Sequence, residues 1–186
     1  MLPKRLKRKT IYKSPWINLF TDKVLMPSGK IIEKYHFLDY PKESIVVLLT
    51  NSKHEICFIK SLRYTTKKIE CELPAGGIEK DESILNAAKR EVLEETGFRT
   101  KSLEKVYSFN PSNGMSNQLV HVIFGTISND KQKYFDTDEV KEVHWFSLKK
   151  IKNLILNNKI TDGVALVALS IYYFKIFKLT CWHKRD

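Results

Sequence analysis

The sequence predicts an α/β fold, a mixed β-sheet with helices on both faces, introduced by an N-terminal β-meander. Three observations carry this. Apolar runs of strand length recur between residues 23 and 146. The spacing of apolar residues switches to a helical period once in the middle of the chain and twice near its end. Strands and helices interleave without a regular βαβ repeat, and no internal repeat or Ser/Gly/Pro-rich linker divides the chain. With 186 residues and a 42% hydrophobic fraction, the chain can bury one sizeable core.

The elements follow in order. Residues 10 to 40 read as the meander, with Pro27-Ser28-Gly29-Lys30 a turn signal between two extended stretches, Lys23–Met26 and Ile31–Leu38. Ile45–Thr50 is a continuous apolar strand, Asn51-Ser52-Lys53 a turn, and Ile56–Leu62 the expected hairpin partner. From Asp81 to Thr96 the residues Ile84, Leu85, Ala88, Val92 and Leu93 recur at helical spacing, with Asp81 or Ser83 as cap and Gly97 as terminator. Val106–Phe109, Val120–Ile127 and Val143–Phe146 return to strand character. Ser147 caps a helix reaching Leu156, and a last helix runs from Asp162 to Phe177. The expected division is an N-terminal β-region over 1–42 and a main domain over 43–186.

Charge and cysteine usage narrow the class. The formal charge of +11 suits anionic partners. Much of the excess lies in Lys4, Arg5, Lys7, Arg8 and Lys9, which read as a solvated arm, so nucleic acid is not an expected partner. Cys57, Cys71 and Cys181 form no CxxC pair and imply a reducing compartment. The basic N-terminus lacks the apolar stretch of a signal peptide, and the longest apolar run, Val164–Leu179, is broken by Lys175 and Lys178. A cytoplasmic protein with no membrane partner is expected. The five histidines, His36, His54, His121, His144 and His183, show no ligand spacing.

The segment Gly76 to Phe98, GGIEKDESILNAAKREVLEETGF, concentrates the chemistry. Glu91, Glu94 and Glu95 stand at i, i+3 and i+4 and project from one helical face. Like charges at this spacing cost about 0.2–0.5 kcal/mol per pair, and a helix C-terminus disfavours anions further. A bound Mg²⁺, which takes carboxylates, water and substrate phosphate as ligands, reverses that sign. Arg90, four residues before Glu94, can hold that carboxylate in place. A solvated acidic face is the alternative reading of the three glutamates taken alone.

The whole pattern decides between them. It resembles the Nudix box: glycine, five residues, Glu, seven residues, Arg-Glu, an apolar residue, any residue, Glu-Glu, any residue, Gly and an apolar residue. Every fixed position is filled. Chance would fill seven such positions on the order of once in a million chains of this length. The resemblance implies a Nudix-type α/β/α sandwich and a metal-dependent hydrolase using Mg²⁺ (or Mn²⁺). By resemblance, the metal ligands are Glu91, Glu95, the backbone carbonyl of Ala75 and Glu94, with Glu82 behind them or on a further ion.

Beyond the box the chain resembles the ADP-ribose pyrophosphatase and nucleoside diphosphate sugar hydrolase branch of the family. Glu72-Leu73-Pro74-Ala75-Gly76 matches its lead-in to the box. Ser61-Leu62-Arg63-Tyr64 resembles a strand end carrying a phosphate-contacting arginine, and Asp138-Glu139-Val140 an acidic loop that supplies a catalytic glutamate. The N-terminal stretch resembles a dimerisation sheet, which implies a homodimer. Arg63, Ser116 and Asn117 are the substrate-binding expectation. Glu94, Glu139 and Arg90 are the catalytic one. Each has a plainer reading: Arg63 as a surface cation, Glu139 with Asp136 and Asp138 as a solvated turn, and Ser116 and Asn117 as turn residues after Pro111-Ser112-Asn113-Gly114. The implied reaction is hydrolysis of a diphosphate bridge in a small nucleotide such as ADP-ribose or a nucleotide sugar. An RNA 5′-end pyrophosphohydrolase and a non-catalytic nucleotide sensor are the rival functions.

Overall fold

Ten strands and three helices are laid out in the computed structural model, which describes residues 1–131 and 135–181; His183 lies outside the described residues. Two compact units result, one of residues 1–43 with 109–119 and the other of residues 44–108 with 120–186.

The first unit is an antiparallel sheet in the order β1 (Lys4–Lys13), β2 (Asn18–Leu25), β3 (Ile31–Asp39). The turn before β3 uses Gly29 at φ 84°, where a side chain would be strained. The basic run expected to be a solvated arm is instead the edge strand β1, paired antiparallel with β2 from Lys4↔Leu25 to Lys13↔Asn18 with register shifts between Arg5 and Lys7 and between Thr10 and Tyr12. The reason lies in Arg8. Its guanidinium donates to both Asp22 carboxylate oxygens at 2.8 and 2.7 Å and stacks over Phe20 and Phe37, 4.2 and 5.0 Å from their ring centres. Lys4, Lys7, Lys9 and Lys13 are exposed along the same strand, together with Leu6, Ile11 and Tyr12. The 109–119 segment runs beside β3, with the Leu38 amide donating to the Met115 carbonyl.

The second unit is built on a mixed sheet in the order β10 (Val140–Phe146), β5 (Ile56–Arg63), β4 (Ser44–Thr50), β9 (Val120–Lys131), β8 (Phe98–Phe109). Strand β4 runs parallel to β9 in unbroken register from Ser44↔Val120 to Thr50↔Thr126. Its five central residues are all buried, as a strand covered on both faces requires. Ile45, Val47 and Leu49 face one way, packing with Ala87, Ala88 and Val92 of α1 (Ile84–Thr96) and with Ile123. On the opposite face Phe124 meets Tyr172 of α3 (Gly163–Cys181) edge-on at 5.3 Å. The sheet, with α1 on one face and α3 on the other, is the middle layer of an α/β/α sandwich.

The expected hairpin of β4 and β5 pairs only at Thr50↔Ile56. Beyond that point the two strands part, and residues 68–77 fill the gap. Strand β6 (Lys68–Glu72) pairs with β5, and β7 (Ala75–Gly77) pairs with β4. Pro74 has no amide to donate, so the change of partner falls at a residue that cannot continue the ladder as donor, while its carbonyl accepts from the Val47 amide at 2.8 Å. Helix α2 (Leu148–Leu156) starts at Ser147, whose hydroxyl accepts from the Lys150 amide. Asp162 caps α3 in the same way through the Ala165 amide at 2.8 Å. Among the described residues no helix is long and apolar enough to cross a membrane.

Candidate active site

Helix α1 brings the acidic residues to the end of the split between β4 and β5. Ser83 starts it, accepting from the Asn86 amide, and Gly97 ends it at φ 67° with its amide on the Leu93 carbonyl. Ala88, Val92 and Glu95 share one stripe at i, i+4 and i+7, so packing the apolar pair against the sheet drives Glu95 inward. Glu95 is 5% exposed. The three glutamates therefore differ in exposure: Glu95 is buried, Glu91 half-buried and Glu94 exposed.

Glu95 accepts from the Ala75 amide at 2.9 Å, which ties the helix to the start of β7. Burial pushes its carboxyl up to about 8, with the neighbouring Glu91 adding to the shift against the Ala75 bond. Burial also raises Glu91 above the usual carboxylate range, opposed by Arg90. Gly76 explains its own identity: a Cβ built there would overlap the Glu91 carboxylate.

Arg90 is the hub of the cluster. Its Nε and Nη2 donate to the two Glu82 carboxylate oxygens at 3.1 and 3.0 Å, and Nη1 donates to Glu91 at 2.7 Å and to Glu94 at 3.2 Å. Nη2 also donates to the Gly77 carbonyl at 2.8 Å. The bond from Arg90 holds Glu82 below its ordinary pKa. Sequence reasoning paired Arg90 with Glu94; the structure adds Glu82, Glu91 and the Gly77 carbonyl. One guanidinium thus serves three carboxylates.

Two further elements border the cluster. At the end of β5, Arg63 donates from Nε and Nη2 to the carboxylate of Glu72, with distances of 2.9 and 2.5 Å. The acidic loop before β10 is pinned to α1 by the Asp136 amide, which donates to the Glu94 carbonyl at 2.8 Å. Glu139 projects from that loop, exposed, while its carbonyl accepts from the Leu62 amide. Its negative charge adds to the upward shifts of both Glu91 and Glu95.

Ala75, Glu91, Glu94, Glu95, Arg90, Arg63 and Glu139 all belong to the second unit. Ser116 and Asn117 belong to the first. There Ser116 is buried and donates to the Ser112 carbonyl, while the Asn117 side chain bridges the Asp39 carboxylate and the Tyr40 amide at 2.7 Å each. Two residues with no role in the sequence reading now have one. Glu72 is the buried partner of Arg63, and Asp136 docks the acidic loop. Glu72 was visible as the first letter of the lead-in motif, but its partner nine residues earlier is set by strand pairing.

Among the described residues, no three His, Cys, Asp or Glu side chains already converge on one point. Arg90 holds Glu91 and Glu94, and the Ala75 amide holds Glu95. The donor set is nonetheless all hard oxygen: buried Glu95 accepts from a neutral backbone amide, and half-buried Glu91 shares Arg90 with Glu82 and Glu94. That chemistry fits a divalent cation of the Mg²⁺ type.

Residues 40–165 match the NUDIX domain family, and residues 3–38 match the nucleoside diphosphate sugar hydrolase N-terminal domain. The chain belongs to the NUDIX family and is a Nudix hydrolase, a class that acts on nucleoside diphosphate derivatives and generally uses divalent metal ions. It is similar to ADP-ribose pyrophosphatase of Bacillus subtilis (strain 168), with 29% identity over 175 residues, 93% of this chain and 92% of that one. It is also similar to the methanol dehydrogenase activator of Bacillus methanolicus, with 27% identity over 168 residues, covering 89% and 90% of the two chains. Among solved structures, a crystal structure of ADP compounds hydrolase matches with a TM-score of 0.84 over 96% of both chains. At 15% identity that likeness establishes the fold. The family and fold class expected from the sequence are both borne out.

Proposed function

We propose that the protein hydrolyses the diphosphate bridge of ADP-ribose or a nucleotide sugar, with water, to a nucleoside monophosphate and a sugar phosphate. The observation that carries this reading is the burial of Glu91 and Glu95 beside a single guanidinium already shared among three carboxylates. Ionising Glu95 beside Glu91 in this buried setting is costly unless a cation joins them. Glu91, Glu95, the Ala75 carbonyl and Glu94 would hold Mg²⁺ or Mn²⁺. A bound ion there would supply neutralising charge to the diphosphate and a lowered pKa to water.

The chain's own groups supply the rest. Arg90 acts through the carboxylates it orients. Arg63 presents Nη1 to a phosphate oxygen of the substrate. Glu139, on a loop anchored to α1, takes the proton of the attacking water, a contribution of about 10²–10⁴-fold for a well-placed base. The similarity to ADP-ribose pyrophosphatase favours an adenosine diphosphate compound. The N-terminal sheet, residues 1–42, pairs two copies into a cytoplasmic homodimer, with the hydrolase domain over 43–186. Exposed Leu6, Ile11, Tyr12 and Trp16 in the first unit support that role.

The test is a panel of ADP-ribose, nucleotide sugars and dinucleoside diphosphates with Mg²⁺ or Mn²⁺, read by product identification. Release of AMP and ribose 5-phosphate from ADP-ribose, abolished by EDTA, is expected. No turnover across the panel would overturn the reading. Light scattering coupled to gel filtration checks the dimer.

A further inference from the structure

Arg63 and Glu72 form a bonded pair of unequal exposure. The Glu72 side chain is 10% exposed and that of Arg63 40%. Glu72 uses both carboxylate oxygens on one edge of the guanidinium, the Nε–Nη2 edge. No bond from Nη1 is found among the described residues, which leaves the other edge of the plane available. Strand pairing fixes the geometry from below: β5 and β6 are in register from Ile59↔Glu72 to Arg63↔Lys68, so the two side chains lie on one face of the hairpin. The negative charges of Glu95 and Glu139 both raise the Arg63 pKa, which places the guanidinium within electrostatic reach of the acidic cluster. Nearby, Asp162 at the start of α3 is influenced by both Glu72 and Arg63.

We infer that Glu72 is a positioning residue for hydrolysis: it locks the plane of Arg63 so that Nη1 meets the transferring phosphate in one orientation. The inference rests on the substrate role proposed above for Arg63. A guanidinium on a free side chain samples many rotamers, and aiming it at the substrate would draw on binding energy. A fork-to-fork carboxylate pair sets its plane in advance. Glu72 also partly neutralises Arg63. Its benefit therefore appears in orientation during the reaction more than in ground-state attraction, which separates it from a simple phosphate-binding residue.

The test is a double-mutant cycle of Glu72→Gln and Arg63→Ala. Its readouts are steady-state hydrolysis of ADP-ribose and binding of the non-hydrolysable α,β-methylene analogue. Glu72→Gln is expected to lower kcat about tenfold, with the analogue's Kd changed no more than about twofold. Arg63→Ala is expected to lose at least as much activity, and the double variant to match Arg63→Ala within about twofold. A double variant whose loss is the product of the two single losses overturns the inference, as does Glu72→Gln with unchanged kcat. An Arg63→Ala variant with full activity removes the substrate role of Arg63, and the inference with it. Absence of any turnover of ADP-ribose by the unmodified protein instead removes the substrate reading, and the same kcat cycle is then run on the nucleotide sugar that the panel shows to be hydrolysed. Should circular dichroism show Glu72→Gln unfolded, Glu72→Asp, which keeps the charge and withdraws the carboxylate, takes its place under the same criteria.

Discussion

The carboxylate of Glu91 occupies the space that a Cβ on Gly76 would fill. Strand β7 and helix α1 thus approach each other with one side chain's thickness removed, and what enters the gap is an acid rather than an apolar group. Gly76→Ala must push the Glu91 carboxylate aside, and because only the end of that flexible side chain is met, the cost in stability is small. The variant is expected to keep most of its thermal stability and to lose most of its activity. Differential scanning fluorimetry and a hydrolysis assay check both. Wild-type activity in Gly76→Ala would show that the Glu91 carboxylate need not lie where it does.

Arg90 gives a second expectation. Its five bonds reach Glu82, Glu91, Glu94 and the Gly77 carbonyl, which a lysine ammonium cannot reproduce from one point. Arg90→Lys keeps the charge and loses the fork. It should destabilise the protein by about 2–4 kcal/mol, given the usual worth of hydrogen bonds to charged groups. The loss of activity should exceed that from replacing exposed Glu94 by Gln. Urea denaturation and kcat measurements compare the two; an Arg90→Lys variant as stable as the parent would mean the hub carries little.

The N-terminal strand offers a test within a single element. Arg8 is bonded to Asp22 and stacked on Phe20 and Phe37, whereas Lys4, Lys7 and Lys9 are exposed. Arg8→Ala is expected to cost about 1–3 kcal/mol, from lost charge-assisted bonds and ring stacking. Lys7→Ala should change stability by less than about 0.5 kcal/mol. Hydrogen exchange across residues 4–39 should accelerate only in the first. Equal exchange in both would return this strand to the solvated arm that its composition implied.

These residues also show what was legible in the sequence. Helix α1 was, because Ser83, Gly97 and the Ala88–Val92 spacing act within one turn of themselves. The acidic set was legible because its spacing is local to one helix. Strand β1 was not: its anchor, Asp22, lies 14 residues away, and the strand itself shows no apolar alternation. Strands β6 and β7 were hidden for a different reason. They divide one short stretch between two partners, so neither half is long enough to show a period of two. The Arg63–Glu72 pair depends on that same register and could not precede it. Glu95 was expected as a ligand on an acidic face, and its burial came from sharing a stripe with Ala88 and Val92.

That burial makes the metal-free protein respond to pH in an unusual direction. Burial pushes the Glu95 carboxyl up to about 8 in the folded chain against its ordinary value of 4.5, so between those values the folded state holds a proton that the unfolded state has released. Stability of the metal-free protein therefore falls as pH rises from about 4.5 to about 8, by at most about 1.4 kcal/mol per pH unit from this group, and levels off above. Glu91, also raised by burial, adds in the same direction. Asp22 and Glu82 are both held low by arginines and work oppositely. Their contributions are complete above the ordinary carboxylate range and are lost only in stronger acid, so the windows separate. Glu95→Gln removes the buried charge while its side-chain oxygen can still accept from the Ala75 amide. The metal-free variant should therefore be more stable than the parent at pH 8.5, equal to it near pH 5, and nearly inactive. A divalent ion competes with the Glu95 proton, so the rise in Tm caused by Mg²⁺ should be larger at pH 8.5 than at pH 6 in the parent and almost absent in the variant. Thermal melts with EDTA or Mg²⁺ across this range test both expectations. A parent protein whose metal-free stability climbs between pH 5 and 8 would mean that Glu95 is ionised throughout and that the buried carboxylate has found its compensation within the chain.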